Sequence, residues 1–211
     1  MRIMNVFVLA EHQSKSFENI TYELISAART IGQKVSLLIL GNSKNMPDVK
    51  EISAFVNNIY ILEHDLLTEW SADACTAAIY EICSNNHPDI LLIGKTNLGR
   101  DIGPRLAYKF KGGFIQDCFD LQLSNDNCLT AVRPIYGGNI MAEVELVPNE
   151  CTNIAVIRSG SYDYQIEKSG AGAEVENIVF NFDKSCIKVH HLEFVEDANT
   201  GVKLEDASVV I

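Results

Sequence analysis

Residues 88–113, PDILLIGKTNLGRDIGPRLAYKFKGG, join a short apolar run to a helix-like segment through a glycine turn. The continuous apolar residues between Pro88 and Gly94 predict a strand that is buried on both faces of a parallel sheet. The turn then lies at the carboxyl end of that strand, where a helix N-terminus offers unpaired backbone N–H groups to an anion. A tight strand-to-helix turn shaped by Gly99, Gly103 and Pro104 is the alternative explanation of the same residues.

Three strand-and-helix pairs precede this stretch, and their order indicates the fold class. Strand-like apolar runs alternate with segments whose apolar residues recur at helical spacing, from Ile3 to about Phe110. Because crossovers between parallel strands are right-handed, this order predicts an α/β fold, a layered and mostly parallel sheet with flanking helices. The predicted strands are residues 3–10, 35–40 and 59–62, and the predicted helices are residues 20–31, 47–56 and 71–83.

The chain changes character after Gly113. Four strand-like segments follow with polar turns and no helical period between them, which predicts an appended, partly antiparallel set of strands at residues 114–123, 129–135, 140–146 and 153–157. Residues 159–173 predict a loop, and the eight acidic and three basic residues from Glu174 onward predict a solvated outer edge. Residues 204–211 are typical of a loop that enters a new apolar strand, so we expect that more protein follows.

Composition excludes several classes of protein. The chain is 47% hydrophobic and 21% charged, which is typical of a globular protein and not of a disordered or fibrous one. Its net charge of −11 opposes non-specific binding to phosphate backbones, so we expect no nucleic-acid partner. The six cysteines show neither a C-x-x-C pair nor zinc-ligand spacing, and they predict free thiols in a reducing cytosol. Without a signal peptide or a run of about 18 apolar residues, the chain is predicted to be cytoplasmic and not inserted in a membrane.

Two common phosphate-binding motifs are absent from the sequence. Gly94-Lys95-Thr96 matches the end of a P-loop, but that motif needs a glycine five positions earlier, where Asp89 stands. No G-x-G-x-x-G follows a predicted strand, which excludes a Rossmann dinucleotide site. Ala10-Glu11-His12 follows the first strand, in place of the Ser/Gly-rich loop of ATP-cleaving enzymes with this layered fold. Glu11 is predicted either to orient a ligand or to cap a turn, and the histidines are predicted to be structural or surface residues.

Two strings supply the candidate site residues. In the first, TNLGRDIGPRLA at 96–107, Arg100 is available for a phosphate, a carboxylate or another subunit. Asp101 is a candidate cap of the following helix. In the second, RPIYGGN at 133–139, a permanent cation precedes a proline-fixed kink and a double glycine, and a hairpin with a solvent-facing arginine is the alternative. No catalytic or metal-binding residue is predicted. The predicted interface or anion-binding turn comprises Thr96, Asn97, Gly99, Arg100, Asp101, Arg133, Gly137 and Gly138.

Taken together, these strings resemble the α subunit of electron transfer flavoproteins. The resemblance covers nearly the whole chain and is carried by AEH at 10–12, TNLGRDIGPRLA at 96–107, RPIYGG at 133–138 and IRSG at 157–160. It implies a layered fold of the adenine-nucleotide α-hydrolase type and an electron carrier without substrate turnover, working as an α/β heterodimer. Such a carrier takes electrons from flavin dehydrogenases, for example the acyl-CoA dehydrogenases of fatty acid β-oxidation, and passes them to a quinone-linked or other redox acceptor.

The resemblance also implies how the chain is divided. Residues 1–195 correspond to the N-terminal domain of the α subunit, which packs against the β subunit. Residues 196–211 correspond to a linker and the first strand of a truncated FAD-binding domain. Most flavin-contacting residues of the family lie beyond this point, so FAD is expected in the full heterodimer and not on this chain alone. AMP or a second flavin is expected in the β subunit.

Two other functions remain open at this stage. A stand-alone nucleotide-binding module of the universal-stress type would use Thr96, Gly99, Gly103 and the helix N-terminus for phosphate, and binding of ATP or AMP in calorimetry would favour it. An ATP-cleaving enzyme of the same layered fold would lack both its loop and its acidic metal cluster.

Overall fold

A seven-stranded sheet in which every neighbouring pair is parallel organises the fold. A computed structural model describes residues 4–13, 15–67, 71–124, 128–146, 151–163, 172–182, 185, 187–189 and 209. The strands, in their order across the sheet, are β12 (Glu174–Ile178), β5 (Asn58–Glu63), β4 (Lys34–Gly41), β1 (Asn5–Leu9), β6 (Ile90–Gly94), β11 (Asn153–Ile157) and β7 (Phe114–Cys118). The predicted α/β class with a layered parallel sheet is therefore confirmed.

Helices cover both faces of this sheet, and the alternation of side chains along β1 shows how. Val6 and Val8 join the core shared with α1 (Asn19–Ile31), whereas Phe7 and Leu9 join the core shared with α2 (Ala72–Asn86) and α3 (Asn97–Phe110). Successive residues of the strand are thus buried on opposite faces, which explains its continuous apolar run. None of the described helices combines the length and the apolar composition needed to cross a lipid bilayer.

The helix predicted at residues 47–56 is wrong. The structure has only a single 3-10 turn there, at Ile52–Phe55. The buried residues of this segment are Pro47, Ile52 and Val56, and their spacing of five and then four does not make the stripe that an amphipathic helix needs. The other two predicted helices, at 20–31 and 71–83, correspond to α1 and α2.

Two small antiparallel sheets complete the fold. One is a ribbon of β2 (His12–Gln13) and β3 (Ser16–Phe17) directly after β1. The other contains three strands, β8 (Asp120–Leu123), β9 (Leu129–Ile135) and β10 (Ile140–Glu145), with β9 in the middle. Leu121, Leu129 and Ala131 of this sheet are buried in the core on the α1 side.

The appended set of strands is smaller than the sequence predicts. Residues 153–157 form β11, which inserts into the main sheet between β6 and β7 instead of joining the antiparallel set. The strand predicted at 114–123 is two strands, because Asp117 adopts a left-handed backbone conformation (φ 67°) just before β8 leaves for the other sheet. An apolar run does not reveal which sheet it joins, so the pattern alone could not separate these cases.

The C-terminal part of the described chain returns to the main sheet. β12 forms an exposed edge, in line with the predicted solvated outer edge. Ile187 is buried against the α2 and α3 core, and the backbone N–H groups of Lys188 and Val189 donate to the Asp73 carboxylate at 2.8 and 3.3 Å. The expected boundary at 195/196 and the predicted strand at 204–211 lie outside the described residues, except for Val209.

Candidate functional site

The first candidate position is the carboxyl edge of the sheet between β1 and β6. From β1 the chain first builds outward through β4 and β5 and then returns to place β6 on the other side of β1. Such a reversal leaves a crevice outside the strand ends, and ligands of open α/β sheets bind there. Glu11 follows β1 and Thr96 follows β6, so both side chains lie at this crevice.

A chain of hydrogen bonds closes the crevice. The Gly99 backbone N–H donates to Thr96 Oγ1 at 3.1 Å, and the Thr96 hydroxyl donates to Glu11 Oε1 at 2.9 Å. Thr96 is therefore the residue that caps α3, and its own proton is held by a carboxylate. The Gly99 N–H is thus already bonded, and the Glu11 carboxylate beside Thr96 disfavours a second anion at this helix end.

Glu11 is held firmly in this position. Its backbone N–H donates to Thr21 Oγ1 at 2.9 Å, and the Thr21 hydroxyl returns a bond to the Glu11 carbonyl at 2.8 Å. Burial raises the pKa of Glu11 from 4.5 to about 7, with a smaller rise from Glu18 and an opposing effect of the Thr96 hydrogen bond. A side chain at Gly94 would meet Glu11 Oε1 at 2.9 Å, so the glycine makes room for the carboxylate.

The two helix glycines of the motif serve close packing. A methyl group added at Gly99 would collide with the carbonyl oxygen of Gly94, and one added at Gly103 would lie 3.0 Å from the Phe114 ring. At Gly99, α3 thus approaches the end of β6 more closely than a residue with a side chain would allow, and at Gly103 it packs tightly on Phe114. This geometry accounts for both glycines without a phosphate.

The remaining predicted residues of this turn point to solvent. Asn97 and Arg100 are exposed, and within the described part of the chain the Arg100 side chain makes neither a hydrogen bond nor an ion pair. The expected cap role of Asp101 is wrong, because Asp101 lies inside α3 and pairs with Arg105 at 2.8 Å. Thr96 takes the cap position because it directly precedes the first helical residue and its hydroxyl accepts from the Gly99 N–H.

A cluster of three charged side chains, absent from the predicted site, lies at the ends of β6, β7 and β11. The Arg158 guanidinium binds Asp117 through two hydrogen bonds of 2.7 Å, and Lys95 Nζ lies 2.7 Å from Asp117 Oδ1. Arg158 also stacks 4.7 Å from the centre of the Phe119 ring. The sequence signal is a charged residue at the end of each of three buried strands, but 41 residues separate Asp117 from Arg158.

These bonds hold the pKa of Asp117 at about 2, below its ordinary 3.8, mainly through the Arg158 hydrogen bonds. An Asp whose pKa falls on folding stabilises the protein above pH 3.8 and loses that contribution as the pH falls through about 2. Asn tolerates the left-handed conformation of this position, so Asp117→Asn removes the charge and one of the two acceptor oxygens without straining the backbone. We expect a loss of about 1 to 2 kcal/mol at neutral pH, reduced by the partial exposure of both cations. Urea unfolding checks this value.

The dependence of stability on pH shows which result would contradict this prediction for Asp117. Wild-type stability should fall between pH 3.8 and about 2 more steeply than that of Asp117→Asn. Glu145→Gln, at an exposed position of β10, is the control and should follow the wild-type curve. Parallel curves for wild type and Asp117→Asn would show that this cluster contributes nothing to folding.

The second predicted string forms the β9–β10 hairpin, and the structure does not bring it to the first. Gly137 and Gly138 lie in the turn with φ of 69° and 93°, and Tyr136 before them is also left-handed at 50°. Arg133 lies in β9 opposite Ala142 of β10. Because this sheet packs on the α1 side and α3 on the other face, the two strings form separate surfaces.

Other chemistry-bearing groups have structural surroundings. Within the described ranges, no three or more His, Cys, Asp or Glu side chains are arranged to hold a metal ion. Burial raises the pKa of the Cys75 and Cys118 thiols to about 12 each, so both are poor nucleophiles. His12 is buried with Nε2 2.8 Å from the Leu40 carbonyl oxygen.

Comparison with known proteins identifies relatives of the chain. The model of the electron transfer flavoprotein domain matches residues 6–181. Protein FixB of Clostridium saccharobutylicum and electron transfer flavoprotein subunit alpha of Megasphaera elsdenii are each 28% identical over 98% of this chain and 62% of their own length. Lactate dehydrogenase (NAD(+),ferredoxin) subunit LctC of Acetobacterium woodii is 22% identical over 98% of this chain and 50% of its own length. The chain thus spans less than two thirds of the curated relatives that it matches.

Proposed function

The chain belongs to the electron transfer flavoprotein family, and from this premise we propose that it is the scaffold on the α side of an electron-carrying heterodimer. The complete carrier takes electrons from flavin dehydrogenases, such as the acyl-CoA dehydrogenases of fatty acid β-oxidation. It passes them to a quinone-linked or other redox acceptor in the cytoplasm. This chain turns over no substrate of its own.

The closed crevice at the carboxyl edge is the observation that carries this proposal. Glu11, Thr96 and the start of α3 fill the place where a nucleotide would bind in this class of fold. The described residues at this edge do not fit a flavin either, because the contact of Gly99 with the Gly94 carbonyl leaves no cradle. In the proposal, FAD is therefore held by other parts of the heterodimer, and AMP or a second flavin by the β subunit. The same contacts argue against the universal-stress and ATP-cleaving alternatives.

The β9–β10 hairpin is the surface that best fits the β subunit. Tyr136, Ile140 and Met141 are 77%, 52% and 49% exposed and lie at the tip of this hairpin, with Ile140 and Met141 on opposite faces of β10. Large apolar side chains grouped on a surface are typical of protein interfaces. The predicted interface residues Gly137 and Gly138 shape this turn, and their positive φ angles fix its direction.

The proposal predicts that the chain and a β subunit encoded by the same genome co-elute in size-exclusion chromatography. The combined variant Tyr136→Asn, Ile140→Thr and Met141→Thr should abolish co-elution, because it removes the exposed apolar surface. Asn suits the left-handed backbone at position 136, and Thr suits a strand. The matched control, Val175→Thr with Val179→Thr, alters exposed apolar residues at the other edge of the molecule and should bind normally.

Two outcomes would contradict this proposal. Failure of the wild-type chain to bind the β subunit would remove the heterodimer itself. Equal binding by the hairpin variant would instead place the interface elsewhere on the chain.

A further inference from the structure

Arg133 is a half-buried cation that has no ion-pair partner in the described part of the chain. Its Nε is shielded from solvent and has no hydrogen-bond partner, and the residue makes no ion pair. Along β9 it lies between Ala131 and Pro134, which are both buried, while Arg133 itself is half-buried. Its charge lies close enough to Cys118 to lower the pKa of that thiol, against the larger effect of burial.

Other arginines of the protein show how unusual this arrangement is. Arg158 is bound by Asp117 and Arg105 by Asp73 and Asp101, all at 2.7 to 2.8 Å. Arg100 has no such partner but is exposed to water, which solvates it. Arg133 has neither carboxylate nor full solvation, although a guanidinium cannot release its proton to avoid the cost. A buried donor without a partner destabilises the protein, and more strongly when it is charged.

The position of Arg133 indicates where a partner would come from. Ile140, Met141 and Ala142 of β10 pair with Ile135, Pro134 and Arg133 of β9, so the cation lies within two residue pairs of the exposed apolar group. An arginine beside aromatic and aliphatic side chains is the usual composition of the energetic centre of an interface. The incoming surface would therefore cover the apolar side chains and reach the guanidinium together.

We propose that a carboxylate of the β subunit binds the Arg133 guanidinium when the hairpin is covered. The pair rests on the proposed heterodimer and adds the chemistry of its recognition. A carboxylate matches the guanidinium with two parallel hydrogen bonds, supplies the acceptor that Nε lacks, and becomes shielded from water by the surrounding apolar contacts. The described residues of this chain leave the cation unpaired, so the proposed pair contributes to association and not to folding.

The test measures binding of the β subunit by calorimetry and thermal unfolding of the chain alone, for wild type, Arg133→Ala, Arg133→Lys and Arg105→Ala. Arg133→Ala should weaken binding by roughly thirty-fold or more, the lower end of the cost of truncating a buried charge pair. It should leave the melting temperature of the isolated chain unchanged or raised, since an unsatisfied charge is removed. Arg133→Lys should restore only part of the affinity, because lysine has no planar fork. Arg105→Ala, the control at an exposed arginine of α3 whose charge is bound by Asp73 and Asp101, should bind like wild type.

The possible failures are distinguishable. If Arg133→Ala binds as tightly as wild type while the hairpin variant does not bind, the carboxylate is wrong and the heterodimer stands. A lowered melting temperature of isolated Arg133→Ala would assign the residue a structural role and overturn the inference. If wild type itself does not bind the β subunit, the proposed function fails and the inference fails with it.

Discussion

Gly99→Ala is expected to destabilise the protein by about 3 kcal/mol or more, the upper part of the range for overpacked sites. The added methyl group would meet a backbone atom, the Gly94 carbonyl oxygen, and would also lie 2.8 Å from Ile93 Cγ2. Backbone cannot rotate away as a side chain can, so α3 would have to shift from the end of β6. That shift would stretch the Gly99 N–H to Thr96 bond and the Thr96 to Glu11 bond. Urea unfolding followed by far-UV circular dichroism measures the loss.

Two further glycine-to-alanine variants keep this prediction testable even if Gly99→Ala fails to fold. Within a helix, alanine is about 1 kcal/mol more favourable than glycine. Any loss of stability in Gly99→Ala or Gly103→Ala must therefore come from packing. Gly103→Ala meets only the side chains of Phe114 and Val156, at 3.0 and 3.1 Å, and we expect a net loss of about 1 kcal/mol or less. Gly172→Ala has nothing within 4 Å and should be neutral. If Gly99→Ala proves at least as stable as Gly103→Ala, the contact between Gly99 and the Gly94 carbonyl does not determine the position of α3 on the sheet.

Glu11→Gln is expected to stabilise the protein at alkaline pH. Burial raises the pKa of Glu11 from 4.5 to about 7, so the folded state holds this proton more tightly than the unfolded chain. The contribution of the group is fully present below pH 4.5 and is lost as the pH rises through about 7. Glutamine keeps an acceptor for the Thr96 hydroxyl and cannot ionise. The variant should therefore exceed wild type by about 2 to 3 kcal/mol at about pH 8, from 1.36 kcal/mol for each pKa unit.

The pH dependence decides whether this explanation holds. The stability curves of wild type and Glu11→Gln should converge as the pH falls toward 4.5, where Glu11 is protonated in the folded state. Glu63→Gln is the matched control, since Glu63 ends β5 at the same edge of the sheet but is exposed. Its curve should run parallel to that of wild type. A constant offset of Glu11→Gln at all pH values would mean that the charge of Glu11 is not the cause.

The fold class was predictable because burial on both faces leaves continuous apolar runs in the sequence. The runs that became β1, β4, β5 and β6 were recognised, and their alternation with helices predicted the parallel sheet. The resemblance to electron transfer flavoprotein α subunits is confirmed by the domain model and by relatives such as the Megasphaera elsdenii protein. The position of β11 was not predictable, because an apolar run looks the same in either sheet.

The candidate site was harder to predict because its contacts join distant parts of the chain. Glu11 and Thr96 are 85 residues apart, and the pattern around each one suits either a turn or a ligand site. Gly99 and Gly103 look like a phosphate turn from their spacing, yet the surrounding atoms require glycine for packing. Arg133 was identified as a cation at a rigid corner, but only the structure shows that its Nε lacks a partner.

The insertion of β11 between β6 and β7 also limits the order in which the molecule can be made. Within the main sheet β7 pairs only with β11, although the chain completes the entire small sheet between these two strands. β7 has no neighbour in that sheet until a segment about 40 residues later is synthesised and inserted. The half from β1 to α3 has its main pairings within the first 110 residues and can assemble first. During synthesis the β9–β10 hairpin therefore emerges before the main sheet is complete.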